Sequence, residues 1–268
     1  MATANAAVTN DMIAQVMSMV EDEPLAPEEK PVIVLPPALS FDLPGGYTSP
    51  TGEIAWTAEV RELNGRDEEQ IAKTSTLIKA LNVVLSRGLT KVGDFPVDDM
   101  LLNNMLAGDR DYVLMRIYAA TFGEDVTTTR FCPDCQRNTE VTLNLLKDVK
   151  VRELDDPSDR RFTVECSVGP VAVDLPTGHT QKLLMASLDK SVAELSTILL
   201  ENTVMSINGN QTLGRSSVLE LSIRDRRLIN EAIAERSPGP QMQDASAACS
   251  QCGAVVEVPL SVAALFQL

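Results

Sequence analysis

The chain has 268 residues, 44% of them hydrophobic, which is enough to bury a sizeable core in one large domain or two small ones. Its net charge of −15 argues against nucleic acid and anionic membranes as partners, and no apolar run approaches the roughly 18 residues of a membrane span. The N-terminus has no secretory signal pattern, so we expect a soluble protein made in the cytoplasm; its single histidine, His179, disfavours enzymes that need an imidazole base.

Residues 1–31 are predicted to form an acidic, extended N-terminal arm. Six acidic residues and three prolines stand against one lysine, so this segment cannot bury enough apolar surface to fold alone. Five apolar residues within it are spaced to share one face of a short helix: Met12, Ile13, Val16, Met17 and Val20. They predict either a partner-binding segment that orders on a neighbouring protein or a disordered tail with incidental methionines.

Residues 32–152 are predicted to form a first unit of strands and helices. An extended run over 32–39 is followed by turns over 41–46 and 49–52 and by a strand over 54–60. Helices are expected over 67–87, 97–105 and 109–122, with Gly88 and Gly123 as C-terminal stops.

Residues 153–268 are predicted to form a second unit of the same kind. A hairpin joins strands over 162–166 and 171–175, and helices follow over 181–188, 192–205 and 217–235. Capping-box spacing at Ser217 and Ser222 indicates that the last helix breaks near Ser222.

Four of the five cysteines form two CxxC pairs, Cys132–Cys135 and Cys249–Cys252. Each pair precedes a strand pattern, over 139–145 and 255–260, as in the knuckles of a zinc ribbon. Two such pairs supply the four thiolates of one tetrahedral, structural Zn²⁺ per chain, although the spacing does not distinguish zinc from iron. Redox use is less favoured, because a thioredoxin-type pair begins a helix rather than preceding a strand.

The two pairs lie 117 residues apart, farther than in a self-contained ribbon. An internal repeat explains this distance, because Gly65 and Gly178 lie 113 residues apart, and Asp109 and Asp225 lie 116 apart. The alternative is chance similarity between unrelated helices. The predicted fold class is therefore α+β, with a mainly helical body of two diverged repeat units, strand hairpins and one zinc-ribbon-like site shared by two distant knuckles.

Several other residues have a plain structural interpretation. Asp109-Arg110 and Asp225-Arg226 occupy matching positions, where the acid is expected to accept free helix amides and the arginine to bind another helix or subunit. His179 is expected near a helix start, Cys166 as a small buried residue in a strand, and Trp56 on a core or interface face. No catalytic residue is assigned.

The run from Gly108 to Tyr118, the following Phe122-Gly123 and the segment Phe131-Cys132-Pro133-Asp134-Cys135 resemble the baseplate hub and hub assembly family of T-even-type contractile phage tails. Related proteins occur in contractile injection systems. The resemblance covers roughly residues 39–150 and extends more weakly to Phe266.

The resemblance implies a non-enzymatic part of the tail that binds other baseplate subunits, copies of itself included, and no nucleic acid, membrane or small-molecule substrate. Such a protein is expected in the host cytoplasm during assembly and then in the virion baseplate. Two alternatives stay open: an assembly chaperone absent from the mature particle, and a zinc- or dithiol-dependent regulator or enzyme.

Overall fold

The first unit contains a three-stranded antiparallel sheet and four helices. A computed structural model describes residues 37–211 and 214–266. Strand β2 lies in the middle of the sheet, between β1 and β3, and a separate hairpin is formed by β4 and β5. The elements are β1 (Leu39–Thr48), β2 (Ile54–Val60), α1 (Gly65–Ala72), α2 (Leu77–Gly88), β3 (Leu89–Val92), α3 (Asp99–Asn104), α4 (Ala107–Phe122), β4 (Asp125–Cys132) and β5 (Arg137–Asn144).

The second unit contains a four-stranded antiparallel sheet in the order β10-β9-β8-β7. Two short pairs, β6 with β11 and β12 with β13, lie outside that sheet. The elements are β6 (Val151–Arg152), β7 (Arg161–Cys166), β8 (Gly169–Asp174), α5 (Gly178–Met185), α6 (Val192–Thr203), β9 (Val204–Ile207), β10 (Asn210–Gln211), α7 (Arg215–Leu219), α8 (Ile223–Arg236), β11 (Gly239–Pro240), β12 (Ser246–Ala248), β13 (Val255–Glu257) and α9 (Val262–Leu265).

The two units share an order of elements: a hairpin, two helices, a strand, two helices, and a hairpin that carries a CxxC pair. Helices α2 and α6 each have 12 residues, and each runs without a linker into a four-residue strand that joins the sheet. This order agrees with the internal repeat expected from the sequence. The origin of the two units by duplication stays a prediction.

Two main apolar cores stabilise the part of the chain that the structure describes. The larger one is formed by the first sheet, α2 and α4, with Val60, Val84 and Leu114 among its buried residues. Residues from the end of the second unit, including Val258 and Leu265, belong to this same core. The smaller core lies between β8, α6 and α8 of the second unit. Burial of these side chains is the main contribution to stability.

Close backbone approach joins α4 to the loop after α8. A Cβ atom on Gly108 would lie 1.7 Å from the carbonyl oxygen of Pro238, and one on Gly239 would lie 2.5 Å from the carbonyl oxygen of Gly108. Only glycine fits at Gly108, because no side chain can share that space. The N-terminal end of α4 is therefore fixed against the second unit.

Many element predictions are confirmed. Strand β2 occupies 54–60 as expected, the hairpin of β7 and β8 is present, and α4 ends before Gly123, whose φ is +97°. The break near Ser222 is also present, since the Ser222 side chain accepts a hydrogen bond from the amide of Asp225 at 3.1 Å and begins α8.

Two expectations are wrong. The helix expected over 67–87 is two helices, because the polar stretch from Lys73 to Thr76 separates α1 from α2. The turns expected over 41–46 are part of β1, which has a bulge between Asp42 and Tyr47. The α+β class is confirmed, and strands β3 and β9 directly follow helix ends and pair into a sheet. Within residues 37–211 and 214–266, no helix has the length and apolar character needed to cross a membrane.

Candidate metal centre

Each CxxC pair sits in a tight turn between two strands. Cys132 is the last residue of β4, and the amide of Gln136 donates to the Cys132 carbonyl oxygen at 2.9 Å. Cys249 follows β12, and the amide of Gly253 donates to the Cys249 carbonyl oxygen at 2.8 Å. Gln136 and Gly253 both have left-handed backbones, with φ of +56° and +74°. The two turns therefore have the same geometry and present their thiols in the same way.

The two turns bring the four sulfur atoms together. The ligand atoms of Cys132, Cys135, Cys249 and Cys252 all lie within 4.8 Å of one another. The Sγ atoms of Cys132 and Cys252 are 3.6 Å apart, and those of Cys135 and Cys249 are 3.9 Å apart. A tetrahedron with metal–sulfur bonds of about 2.3 Å has edges of about 3.8 Å, so the spacing suits one tetrahedrally bound zinc. It is too long for a disulfide, whose S–S bond is about 2.05 Å.

Contacts around the sulfur atoms support this arrangement. The hydroxyls of Thr139 and Ser250 lie 2.6 Å apart and join the first turn to the second. Val256 is buried against Cys132 and Cys249, so the cluster has its own small apolar core. Cys252 is exposed to solvent, which leaves one side of the cluster accessible.

Electrostatics at the cluster favour a bound cation. The amide of Gln251 lies 3.4 Å from Cys249 Sγ and is the main cause that lowers the pKa of this thiol to about 6. The pKa of Cys252 is raised to about 12, because the nearby sulfur atoms and burial outweigh the amide of Ala254, which lowers it. Four thiols this close cannot all ionise without a compensating positive charge. A divalent metal supplies that charge and holds all four as thiolates.

The cluster suits structure rather than turnover. Four protein thiolates complete a tetrahedral zinc shell and leave no position for water or substrate. Cys166 and His179 lie outside the cluster. Cys166 is half-buried in β7, with a pKa raised by burial, Asp225 and Glu165, and exposed His179 is the second residue of α5. The expectation that His179 lies near a helix start is confirmed.

The two Asp-Arg pairs make matching contacts. The Asp109 side chain accepts from the Gly45 amide at 2.7 Å, and that of Asp225 accepts from the Ser167 amide at 2.9 Å. Both donors lie in the hairpin that opens the unit, so the expectation that these acids accept amides of their own helix is wrong. Asp109 Oδ2 is buried without a hydrogen-bond partner, and burial raises the pKa of this carboxyl to about 7.

The arginines join three helices within each unit. Arg110 Nη1 donates to the carbonyl oxygen of Leu102, eight residues earlier, and Nη2 donates to Asn82 of α2 at 2.8 Å. Arg226 Nη1 donates to the carbonyl oxygen of Val218, also eight residues earlier, and Nη2 donates to Thr197 of α6 at 2.7 Å. The expectation that each arginine binds another helix is confirmed, and the contacts align α2, α3 and α4 with α6, α7 and α8.

Other residues that the sequence singles out lie away from the metal centre or outside the described residues. The partner-binding residues proposed in the N-terminal arm lie outside the described residues: Met12, Ile13, Val16, Met17 and Val20. Trp56 lies on the outer face of the first sheet and is 36% exposed. No sequence pattern identifies the roles of Thr139, Ser250 and the Gln251 amide, because these roles depend on a contact between distant hairpins.

One family model matches part of the chain. Residues 50–169 match the family model described as T4 bacteriophage base plate protein. The resemblance to phage baseplate proteins is therefore confirmed. The matched segment includes the first CxxC turn and ends at the first residue of β8 in the second unit. No curated protein and no solved structure matches the chain. A baseplate family implies a structural role in the virion tail, in contact with other baseplate or tail proteins.

Proposed function

We propose that this protein is a non-enzymatic structural component of a phage tail baseplate or of a related contractile injection system. The observation that carries the proposal is the baseplate family match over residues 50–169. The protein assembles in the host cytoplasm, binds neighbouring subunits and stays in the mature baseplate. The closed arrangement of four thiols supports a structural rather than catalytic use of the metal centre.

We further propose that Cys132, Cys135, Cys249 and Cys252 hold one Zn²⁺ per chain. The sulfur separations and the matching turns support this ligand set. Native mass spectrometry of the folded chain tests it, with one zinc per chain as the expected result. Iron in the same stoichiometry would keep the ligands and change the metal. Two metals per chain, or none with all four thiols open to alkylation, would contradict the shared site.

The two units are proposed to be diverged copies of one ancestral unit. Their shared order of elements supports this, as do the equal lengths of α2 and α6. The strongest support is the matching pair of arginine contacts, because a hydrogen bond to the carbonyl eight residues earlier is made at corresponding places in both. The metal then joins the last hairpin of one copy to the last hairpin of the other.

The N-terminal arm is proposed to bind a partner through Met12, Ile13, Val16, Met17 and Val20. The sequence pattern is its support: methionine-rich apolar faces adapt to partner grooves, and the arm has too little apolar surface to fold alone. Deleting residues 1–31 is expected to reduce incorporation into particles without lowering the melting temperature of the remaining chain. A truncated chain that enters particles at the normal copy number would refute this role.

Quantitative mass spectrometry of purified particles tests the structural role. A structural component is present at a fixed copy number per particle, and particles made without it are defective or absent. An assembly chaperone is also required for assembly but is missing from the finished particle. Normal particles in the absence of this protein would remove both interpretations.

A further inference from the structure

The first helix of the second unit, α5, packs on the first unit. Immediately before α5, the amide of Ala107 donates to the Pro176 carbonyl oxygen at 2.9 Å, and the amide of Gly178 donates to the Met105 carbonyl oxygen at 2.8 Å. A Cβ on Gly178 would lie 2.2 Å from the carbonyl oxygen of Leu102. This contact explains why α5 begins with glycine.

Polar side chains extend the contact along α5. Gln181 accepts from Arg110 Nε at 2.9 Å and donates to the carboxylate of Asp111 at 2.7 Å. The next residue of α5, Lys182, donates to Asn103 of α3 at 2.7 Å. The surface formed by α2, α3 and α4 of the first unit is thus occupied by α5 of the second.

The corresponding surface of the second unit is open. Helices α6, α7 and α8 enclose a groove of about 650 Å³. Its apolar residues are unusually exposed: Val192 by 83%, Ile223 by 75% and Leu219 by 53%. Three arginines line the groove against one acid, Glu194, and one of them, Arg215, is already paired with Glu201 at 3.5 Å. Arg226 and Arg227 therefore make the groove locally basic in a strongly acidic protein. The groove therefore suits an acidic helix that also offers a small apolar contact.

Helix α1 of the first unit corresponds to α5 of the second, and it is an acidic helix with a small apolar surface. Its residues Gly65, Glu68, Glu69 and Ala72 share one face, and all four are exposed. A Cβ on Gly65 would meet nothing within 4 Å, so nothing in the described chain requires glycine there. Its counterpart Gly178, in contrast, is required by a close contact.

The charges at aligned positions differ between the occupied contact and the open groove. The register set by Arg110 and Arg226 aligns Asp111 with Arg227, and the alignment of Gly65 with Gly178 aligns Glu68 with Gln181. A neutral side chain therefore meets an aspartate in the occupied contact. In the open groove, the corresponding helix residue is a glutamate and the groove residue is an arginine. Such a pair is complementary and favours specific association.

We propose that α1 of a second copy of this chain occupies the groove between α6, α7 and α8, with Glu68 facing Arg226 and Arg227. The inference rests on the duplicated architecture in the proposed function and names copies of this chain as neighbours within it. Each copy offers one helix and one groove, so the contact either closes reciprocally as a two-fold dimer or continues head-to-tail into a ring or a filament.

Sedimentation velocity of the full chain over a concentration series at low ionic strength tests the proposal. The average mass is expected to rise with concentration above that of a monomer. Arg227→Glu and Glu68→Lys should each weaken association about tenfold or more, and the double variant should recover most of it. Lys147→Glu and Glu140→Lys make the same charge changes on the β4–β5 hairpin, where both residues are exposed, and should leave association unchanged.

Gly65→Ala supplies an independent test of the contact. The added methyl group has open space within the chain, so the melting temperature should not fall, whereas assembly should weaken because the Cβ would meet the next copy. A monomer at all concentrations, a dimer indifferent to the charge reversals, a double variant that stays dissociated, or unchanged assembly of Gly65→Ala would each overturn the proposal. A normal copy number in particles alongside any of these results would leave the structural role intact, since that measurement does not depend on this contact.

Discussion

Replacing Cys249 by serine tests the metal centre most directly. The change removes a buried ligand and uncouples two hairpins that are far apart in sequence. Cys135 and Cys249 are 114 residues apart, and closing a loop of that length removes about 5 kcal/mol of unfolded-chain entropy on the cross-link estimate. The hydrogen bond between Thr139 and Ser250 still joins the hairpins, so this figure is an upper bound.

We expect Cys249→Ser to destabilise the chain by several kcal/mol and to lower Tm by about 10 °C or more. The assay is calorimetry, with zinc content measured on the same samples. Cys166→Ser is the matched control, because that thiol is half-buried and lies outside the cluster. Equal melting of the two variants, or full zinc content in Cys249→Ser, would refute the reasoning.

Four further predictions concern zinc and residues outside the cluster. Zinc removal by a chelator should lower Tm in the wild type but change it little in Cys249→Ser, as read by paired thermal melts. Gly108→Ala should cost several kcal/mol in urea unfolding, since its Cβ would overlap a carbonyl oxygen, whereas Gly65→Ala should be neutral or slightly stabilising. Arg110→Ala should destabilise by about 3 kcal/mol or more and Arg226→Ala by less, because Arg226 is more exposed; equal losses would contradict this ranking. Burial raises the pKa of Asp109 to about 7, above the value of about 4 in an unfolded chain. The free energy of unfolding should therefore decrease as the pH rises between these two values. Asp109→Asn should reduce this pH dependence, as measured by denaturant unfolding at several pH values.

Local patterns in the sequence predict local structure well. The alternation in 54–60 gives β2, and the serine-based capping pattern gives the break at Ser222. Cysteine spacing, the following strand patterns and the repeat together predict that two distant pairs share one site, and the four sulfur atoms do lie together. Each of these signals is either a pattern of a few neighbouring residues or a pattern that recurs later in the chain.

Features that depend on long-range partners are harder to predict. The segment 41–46 contains proline and glycine, so it indicates turns, yet pairing with β2 and the bond from Gly45 to Asp109 hold it as a bulged strand. The partners of Arg110 come from α2, α3 and α5, and no short pattern identifies them. The same holds for the contact between Thr139 and Ser250.

The larger core includes Val258 and Leu265 from the end of the second unit, and this has a consequence for cutting the chain. A protease nick between the units, for example in the exposed 3-10 turn at Pro157–Arg160, would not release two independent domains. The N-terminal fragment alone would expose part of its apolar interior to water, and the C-terminal fragment would lose the surface that shelters its last residues. The two fragments should instead remain associated and copurify until denaturant separates them.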